Sequence, residues 1–217
     1  EDPTPLSSRR RALRGDLDTI FQKALADNSI TLRFDSRSDR FSGRLVTLTE
    51  TRDKAADLLR LALTEPRFDA EPVERIRAQI TASLRRSLQD PRTIANRTWW
   101  ATSFPDHPYG RSGDGTLESV AAVTVEDLRA FTDAVLARED LVVAAVGDIG
   151  AEELGTLLDT VFGGLPEESG VEPVADTDPA HDGETIVVDL AIPQSVVVFG
   201  QPGIDREDPD WFTANLL

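Results

Sequence analysis

A chain of 217 residues, 40% of them hydrophobic and none of them cysteine, can bury a core without covalent staples, and it excludes thiol catalysis and thiolate metal sites. Twenty-three basic residues against 39 acidic ones leave a net charge of −16, which excludes the basic footprint of a nucleic-acid binder and favours basic partners. No apolar run approaches the roughly 20 residues of a membrane span, and Glu1-Asp2-Pro3-Thr4-Pro5 is no signal peptide, so the compartment stays open, the periplasm after signal removal included.

The periodicity predicts a short amphipathic helix over 16–25, with Leu17, Ile20, Phe21 and Leu25 on one face and Asn28 as its stop. Ile30, Leu32 and Phe34 alternate with polar residues as in a half-buried strand, and Phe41 to Thr49 gives a second strand. The turn between them, 35–40, has acids in the manner of a calcium loop, but Arg37 and Arg40 stand where such a loop needs oxygen or glycine. A plain turn is the better reading. Thr51 to Thr64 reads as a helix with Ala55, Leu58, Leu59, Ala62 and Leu63 inward, ended by Glu65-Pro66. Pro72 sits in the first turn of a long helix reaching about Gln89, and Asp90-Pro91 restarts the chain into a helix through Trp99-Trp100. These tryptophans are expected to be core or interface anchors rather than a stacking site for a ligand.

Phe104 to Gly110 is a compact loop. Thr116 and Thr124 are N-cap candidates, the second with Asp127 three residues on, opening helices Leu117–Ala122 and Val125–Leu136. Leu141 to Val146 is a continuous apolar run that predicts a buried strand. A helix over 151–162 closes at Gly163-Gly164 and Pro166. Residues 167–183 read as a solvated linker, followed by strands 185–190 and 195–199, an acidic loop from Asp205 to Asp210 and the start of a helix. The expected class is α+β: a mixed β-sheet packed against helices on one side. The domains expected are 1–166, a linker over 167–183, and the beginning of a second, incomplete domain over 184–217. The apolar helix-like ending Trp211 to Leu217 is read as the interior of something longer.

Candidate chemistry is sparse. The two histidines, His107 and His181, are far apart in sequence, so no helix offers two imidazoles one turn apart to a metal. A serine–histidine–acid set on His107 lacks a Gly-x-Ser-x-Gly elbow, and a structural hydrogen bond is the expected role of that ring. His181, with Asp178 and Asp182 nearby, is read as linker rather than as a metal ligand. Asp205, Glu207, Asp208 and Asp210 are read as a charged loop that N-caps the next helix.

A series of blocks then resembles a known family. They are Glu65-Pro66-Arg67-Phe68-Asp69, the helix through Arg85-Arg86 to Asp90-Pro91, Phe104 to Gly110, Gly115 to Val120, Thr124 to Phe131 and Val143 to Asp148. In order and spacing they are similar to the pitrilysin/insulinase family of zinc peptidases, which includes the mitochondrial processing peptidases. Gln194 to Leu217 resembles the opening of that family's second domain. The resemblance implies a His-x-x-Glu-His helix ahead of these blocks, plus a distal glutamate ligand. Aligned on Arg85-Arg86 and Asp90-Pro91, that ligand position holds Ser83, preceded by Ala82, and a neutral serine does not complete a zinc site. Arg9 to Arg14 stands near where the chain would leave the absent helix. The resemblance therefore implies a non-catalytic member or fragment with no catalytic, cofactor or metal residue of its own. It implies a zinc-bearing homologous partner and peptide substrates, basic ones favoured by the charge. A homo-oligomer through 184–217 is a further expectation. The rival reading is a structural module of the same fold with no role in proteolysis, and an unrecognised hydrolase has no motif behind it.

Overall fold

The computed structural model describes residues 20–37, 39–180 and 183–216. Ten elements follow in order: α1 (20–27), β1 (Thr31–Arg37), β2 (Arg40–Val46), α2 (Arg52–Thr64), α3 (Ala70–Ser87), α4 (Pro91–Ser103), α5 (Leu117–Ala122), α6 (Val125–Val135), α7 (Ala151–Phe162) and α8 (Trp211–Asn215). The class is α+β. The sheet formed among the described residues is a two-stranded antiparallel hairpin, so the larger mixed sheet of the sequence reading is not built here.

Local signals explain most of the boundaries. The Asn28 side-chain amide donates to the Ala24 carbonyl (2.7 Å), and Ser29 turns left-handed at φ 54°, which ends α1 and sends the chain into β1. In the hairpin Leu32 faces Leu45 and Phe34 faces Gly43. Alternation puts these four and Phe41 on one face. Gly43 lets the Phe34 ring lie against its backbone: a Cβ there would stand 3.1 Å from the ring. Phe34 stacks on Phe41 at 5.6 Å, and Phe41 meets Phe131 of α6 edge-on at 6.4 Å. Asp90 caps α4 by accepting from the Thr93 amide (2.8 Å) and hydroxyl (2.7 Å), with Pro91 at the first helical position.

Contacts group the molecule into two compact units. One holds the described residues through Gln79 with Glu118–Pro173; the other holds Ile80–Leu117 with the residues from Val174 onward. This packing division falls within α3.

The first unit has two apolar cores, and α2 serves both. Ala55 and Leu58 face Leu25 and Ile30, with Leu32 and Leu45 packed alongside. Ala56 and Leu63 face Val161 and Leu165 from the α7 region, with Leu59 and Leu157 at the margin. Two adjacent alanines, both nearly inaccessible, let α2 be approached from both sides. Each fully buried aliphatic side chain contributes roughly 1.5–3 kcal/mol.

Three expected strands do not form. Residues 141–146, 185–190 and 195–199 have no ladder partner among the described residues. A strand exists through its neighbour, because its N–H and C=O groups need a second backbone about 4.8 Å away. Without one, Val142 and Val146 stand at 90% and 103% exposure, and Val187, Val197 and Phe199 are similarly open. The apolar pattern predicts buried strands, but neither the pairing nor the burial is present among the described residues. The helix over 16–25 is confirmed only from residue 20; positions 16–19, Arg9 to Arg14 and His181 lie outside the described residues.

Candidate functional site

The most closely packed of the sequence-predicted site segments is the loop after α4. The chain leaves the helix at Phe104, whose amide still donates to the Trp100 carbonyl (3.0 Å), and folds back so that the Gly110 amide donates to the His107 carbonyl (3.0 Å). Gly110 is required by this approach, since a Cβ would lie 2.1 Å from the Phe104 carbonyl oxygen. Trp100 stacks on Phe104 at 5.3 Å, and Tyr109 meets both rings edge-on at 6.4 and 6.0 Å. Trp99 packs edge-on against Trp100 at 4.9 Å. Phe104 is buried and Trp100 is partly exposed.

His107 sits within this cluster, its ring 4.6 Å from that of Tyr109. Nδ1 accepts from the Tyr109 backbone N–H (3.2 Å), so the ring proton resides on Nε2, which donates to the Ala175 carbonyl (3.0 Å). Both nitrogens are committed to backbone groups. The ring therefore has no lone pair left to take a nucleophile's proton or to hold a metal. One of the two bonds reaches far along the chain, so the histidine is not satisfied by local partners alone.

The aligned zinc-ligand position lies on α3. Ser83 and Ala82 are exposed there, while the neighbouring Leu84 is buried. Among the described residues no three His, Cys, Asp or Glu side chains come together as a metal-binding group, and no helix is long and apolar enough to cross a membrane. The acidic loop before α8 differs from its expectation. Asp210 is at the N-cap position but its side chain makes no cap bond; Asp208 instead accepts from the Asp210 amide (2.8 Å). Arg206 lies over the Trp211 ring at 5.7 Å.

Several supporting side chains carried no local sequence signal. Arg97 donates to the Ser112 hydroxyl through Nε (3.1 Å) and Nη2 (2.6 Å), and Nη2 also reaches the Gly115 carbonyl (2.8 Å). This holds the turn in which Gly115 takes φ 74°. Arg77 donates to the Val120 and Val123 carbonyls at the C-terminal end of α5, the second at 2.8 Å, where a cation is favoured by the helix dipole. Thr124 and Asp127 form the expected capping box: the carboxylate accepts from the Thr124 amide (2.7 Å) and hydroxyl (2.8 Å), and the Asp127 amide donates to Thr124 Oγ1 (3.1 Å). These bonds hold the Asp127 carboxyl below the usual carboxylate range, the amide bond contributing most. For Asp90 the same direction arises first from the Thr93 hydroxyl, then from its amide.

An open cleft of about 340 Å³ separates parts of α2 and α7. Asp53, Asp57 and Glu153 line it with Thr156 and Thr160. Arg52 is paired with Glu153, and Ala56 and Leu157 give the cleft an apolar part.

The sequence pattern of the family described as Peptidase M16 inactive domain matches residues 122–217. The chain is 26% identical to the Non-peptidase homolog YmxG of Helicobacter pylori over 84% of its own length and 42% of the relative's. It is 31% identical to an uncharacterized zinc protease of Mycobacterium leprae over 50% of its length and 24% of that protein's. Among solved structures it superposes on a peptidase M16 inactive domain from Pseudomonas fluorescens with a TM-score of 0.68 at 23% identity, covering 74% of this chain and 39% of that one. A protease of Helicobacter pylori gives 0.65 at 17% identity, covering 75% and 40%. The chain thus spans less than half the length of the proteins it matches. In sequence and fold it is similar to M16 peptidases and their inactive domains, the pitrilysin/insulinase group that its sequence blocks resemble.

Proposed function

We propose that this chain is a non-catalytic part of an M16-type peptidase assembly, which supports peptide binding and cleavage by a homologous, zinc-bearing partner. The observation that carries the reading is the match to an inactive peptidase domain in a chain with Ser83 at the aligned ligand position and no second histidine near His107. The commitment of both His107 nitrogens to backbone supports it. On this reading the chain needs no zinc of its own, and its acidity favours basic peptides. Residues 1–166 and 184–217 belong to two similar domains joined by 167–183. The apolar runs 185–190 and 195–199 then call for a covering surface, which a second copy or the homologous partner would supply.

The test is reconstitution. The chain is purified with a homologous protein that carries His-x-x-Glu-His, and turnover of a basic peptide is measured with and without it. The reading expects a saturable rise in turnover. No effect on turnover at any ratio would contradict it.

A second reading is a structural module with no part in proteolysis. What favours it is the likeness, over 84% of this chain, to a protein named a non-peptidase homolog. Co-purification with the partner, without any change in turnover, would select it.

A further inference from the structure

Residues 174–180, Val-Ala-Asp-Thr-Asp-Pro-Ala, have the composition of a solvated tether. Their backbone is nevertheless held at two points. The Ala175 carbonyl accepts from His107 Nε2 at 3.0 Å, and the Ala180 amide donates to the Ser103 carbonyl at 2.7 Å. Ser103 is the last residue of α4, and its carbonyl is one of those a helix leaves without an intrahelical donor. Ser103 is itself buried. The order of the two points is inverted, with 180 on 103 and 175 on 107, so the segment runs antiparallel to the loop. Pro179 between them removes a backbone freedom that a tether would keep. Downstream, Gly200 lies against Trp99 so closely that a Cβ would stand 2.3 Å from the indole.

We propose that residues 174–180 form a strap closed across the end of α4 by a two-point clasp, the His107 imidazole and the Ser103 carbonyl, with His107 as its positioning residue. The imidazole is suited to this task. It takes the Tyr109 N–H at Nδ1, which orients the ring, and so presents Nε2–H to the strap. The second point satisfies a helix-end carbonyl that would otherwise lack a donor. Residues 174–180 are then a fixed spacer rather than a free tether. This inference does not depend on any partner or on proteolysis.

The test uses the full chain and two variants. His107→Asn keeps a short acceptor for the Tyr109 amide but cannot reach Ala175, whereas Ala180→Pro removes the donor at the other point. Hydrogen exchange at the Ala180 amide, corrected for its intrinsic rate, should be protected in the parent chain and faster by about 2- to 10-fold in His107→Asn, the range for one lost hydrogen bond. Long-range nitrogen–proton correlation of the His107 ring should show the Nε2–H tautomer in the parent, and the Nε2 proton should exchange with solvent faster in Ala180→Pro, where the far end of the strap is released. An Ala180 amide that exchanges at its unprotected rate in the parent would overturn the strap. So would unchanged exchange of the Ala180 amide in His107→Asn together with unchanged exchange of the His107 Nε2 proton in Ala180→Pro.

Discussion

Replacing Gly110 with alanine tests whether the Phe104–Gly110 loop is a packed structural element. The added methyl would stand 2.1 Å from the Phe104 carbonyl oxygen and 2.9 Å from its carbon. Both are backbone atoms, so no flexible side chain can yield. Relief requires the loop to move by roughly an ångström, which stretches the bonds from Phe104 to Trp100 and from Gly110 to His107 and displaces the rings of Phe104 and Tyr109. Overpacking of this kind costs typically 1–3 kcal/mol, and with backbone on both sides the upper end applies, about 3 kcal/mol. At about 2–4 °C per kcal/mol for a chain of this size, Tm falls by about 6–12 °C. Gly113 is the control, because a Cβ there meets nothing within 4 Å. Gly113→Ala should stay within about 0.5 kcal/mol of the parent. Thermal unfolding followed by tryptophan fluorescence reads both, since Trp99 and Trp100 lie in the affected cluster. Equal, small shifts in the two variants would refute the packing argument.

Val161 is fully inaccessible between α2 and α7, so Val161→Ala, which deletes two methyl groups, should cost about 2–3 kcal/mol by denaturant unfolding. Thr124→Ala removes one half of the capping box and should cost about 1 kcal/mol, read by the same assay. The carboxyls of Asp90 and Asp127 are held below their ordinary range by their caps. Their stabilisation is therefore present above the unfolded value of roughly 3.9 and is lost as pH falls below it. An acid titration by circular dichroism should show Asp90→Asn and Asp127→Asn variants less stable than the parent at pH 7, with the difference shrinking below pH 4. If the acidic surface recruits peptide, a basic peptide should bind the reconstituted pair more tightly than a neutral one, and the gap should narrow as salt shortens the Debye length. Equal affinities at low salt would leave the charge of −16 as a solubility feature.

Much of the fold could be read from the sequence because its signals are local. The Asp90-Pro91 restart, the Thr124–Asp127 box, the alternation through Leu32 and Phe34 and the inward face of α2 each depend on residues within a few positions of one another. The three missing strands mark the limit. Leu141 to Val146 has the composition of a buried strand, but burial is a property of neighbours, and periodicity says nothing about whether a pairing backbone is there. The polar composition of 167–183 carries no signal for the backbone bonds of Ala175 and Ala180, because their partners, His107 and Ser103, are distant in sequence. Arg77 and Arg97 were unreadable on the same ground, since nothing near an arginine announces which distant carbonyl it will cap. For the site, the remoteness of His107 from His181 is legible in the sequence, and Ser83 enters only through the resemblance that aligns it with a zinc ligand. The packing of Phe104 and Tyr109 against the helix of Trp99 and Trp100 is legible in the sequence, whereas the bond from His107 to the distant Ala175 carbonyl is not.

The central claim, that this chain is a peptidase scaffold without a peptidase centre, is tested most directly by its zinc content. The purified chain is incubated with excess zinc, dialysed at neutral pH and measured by elemental analysis beside a His107→Ala variant. The account predicts far less than one zinc per chain, the same in both proteins. One tightly held zinc per chain, lost in the His107→Ala variant, would contradict it.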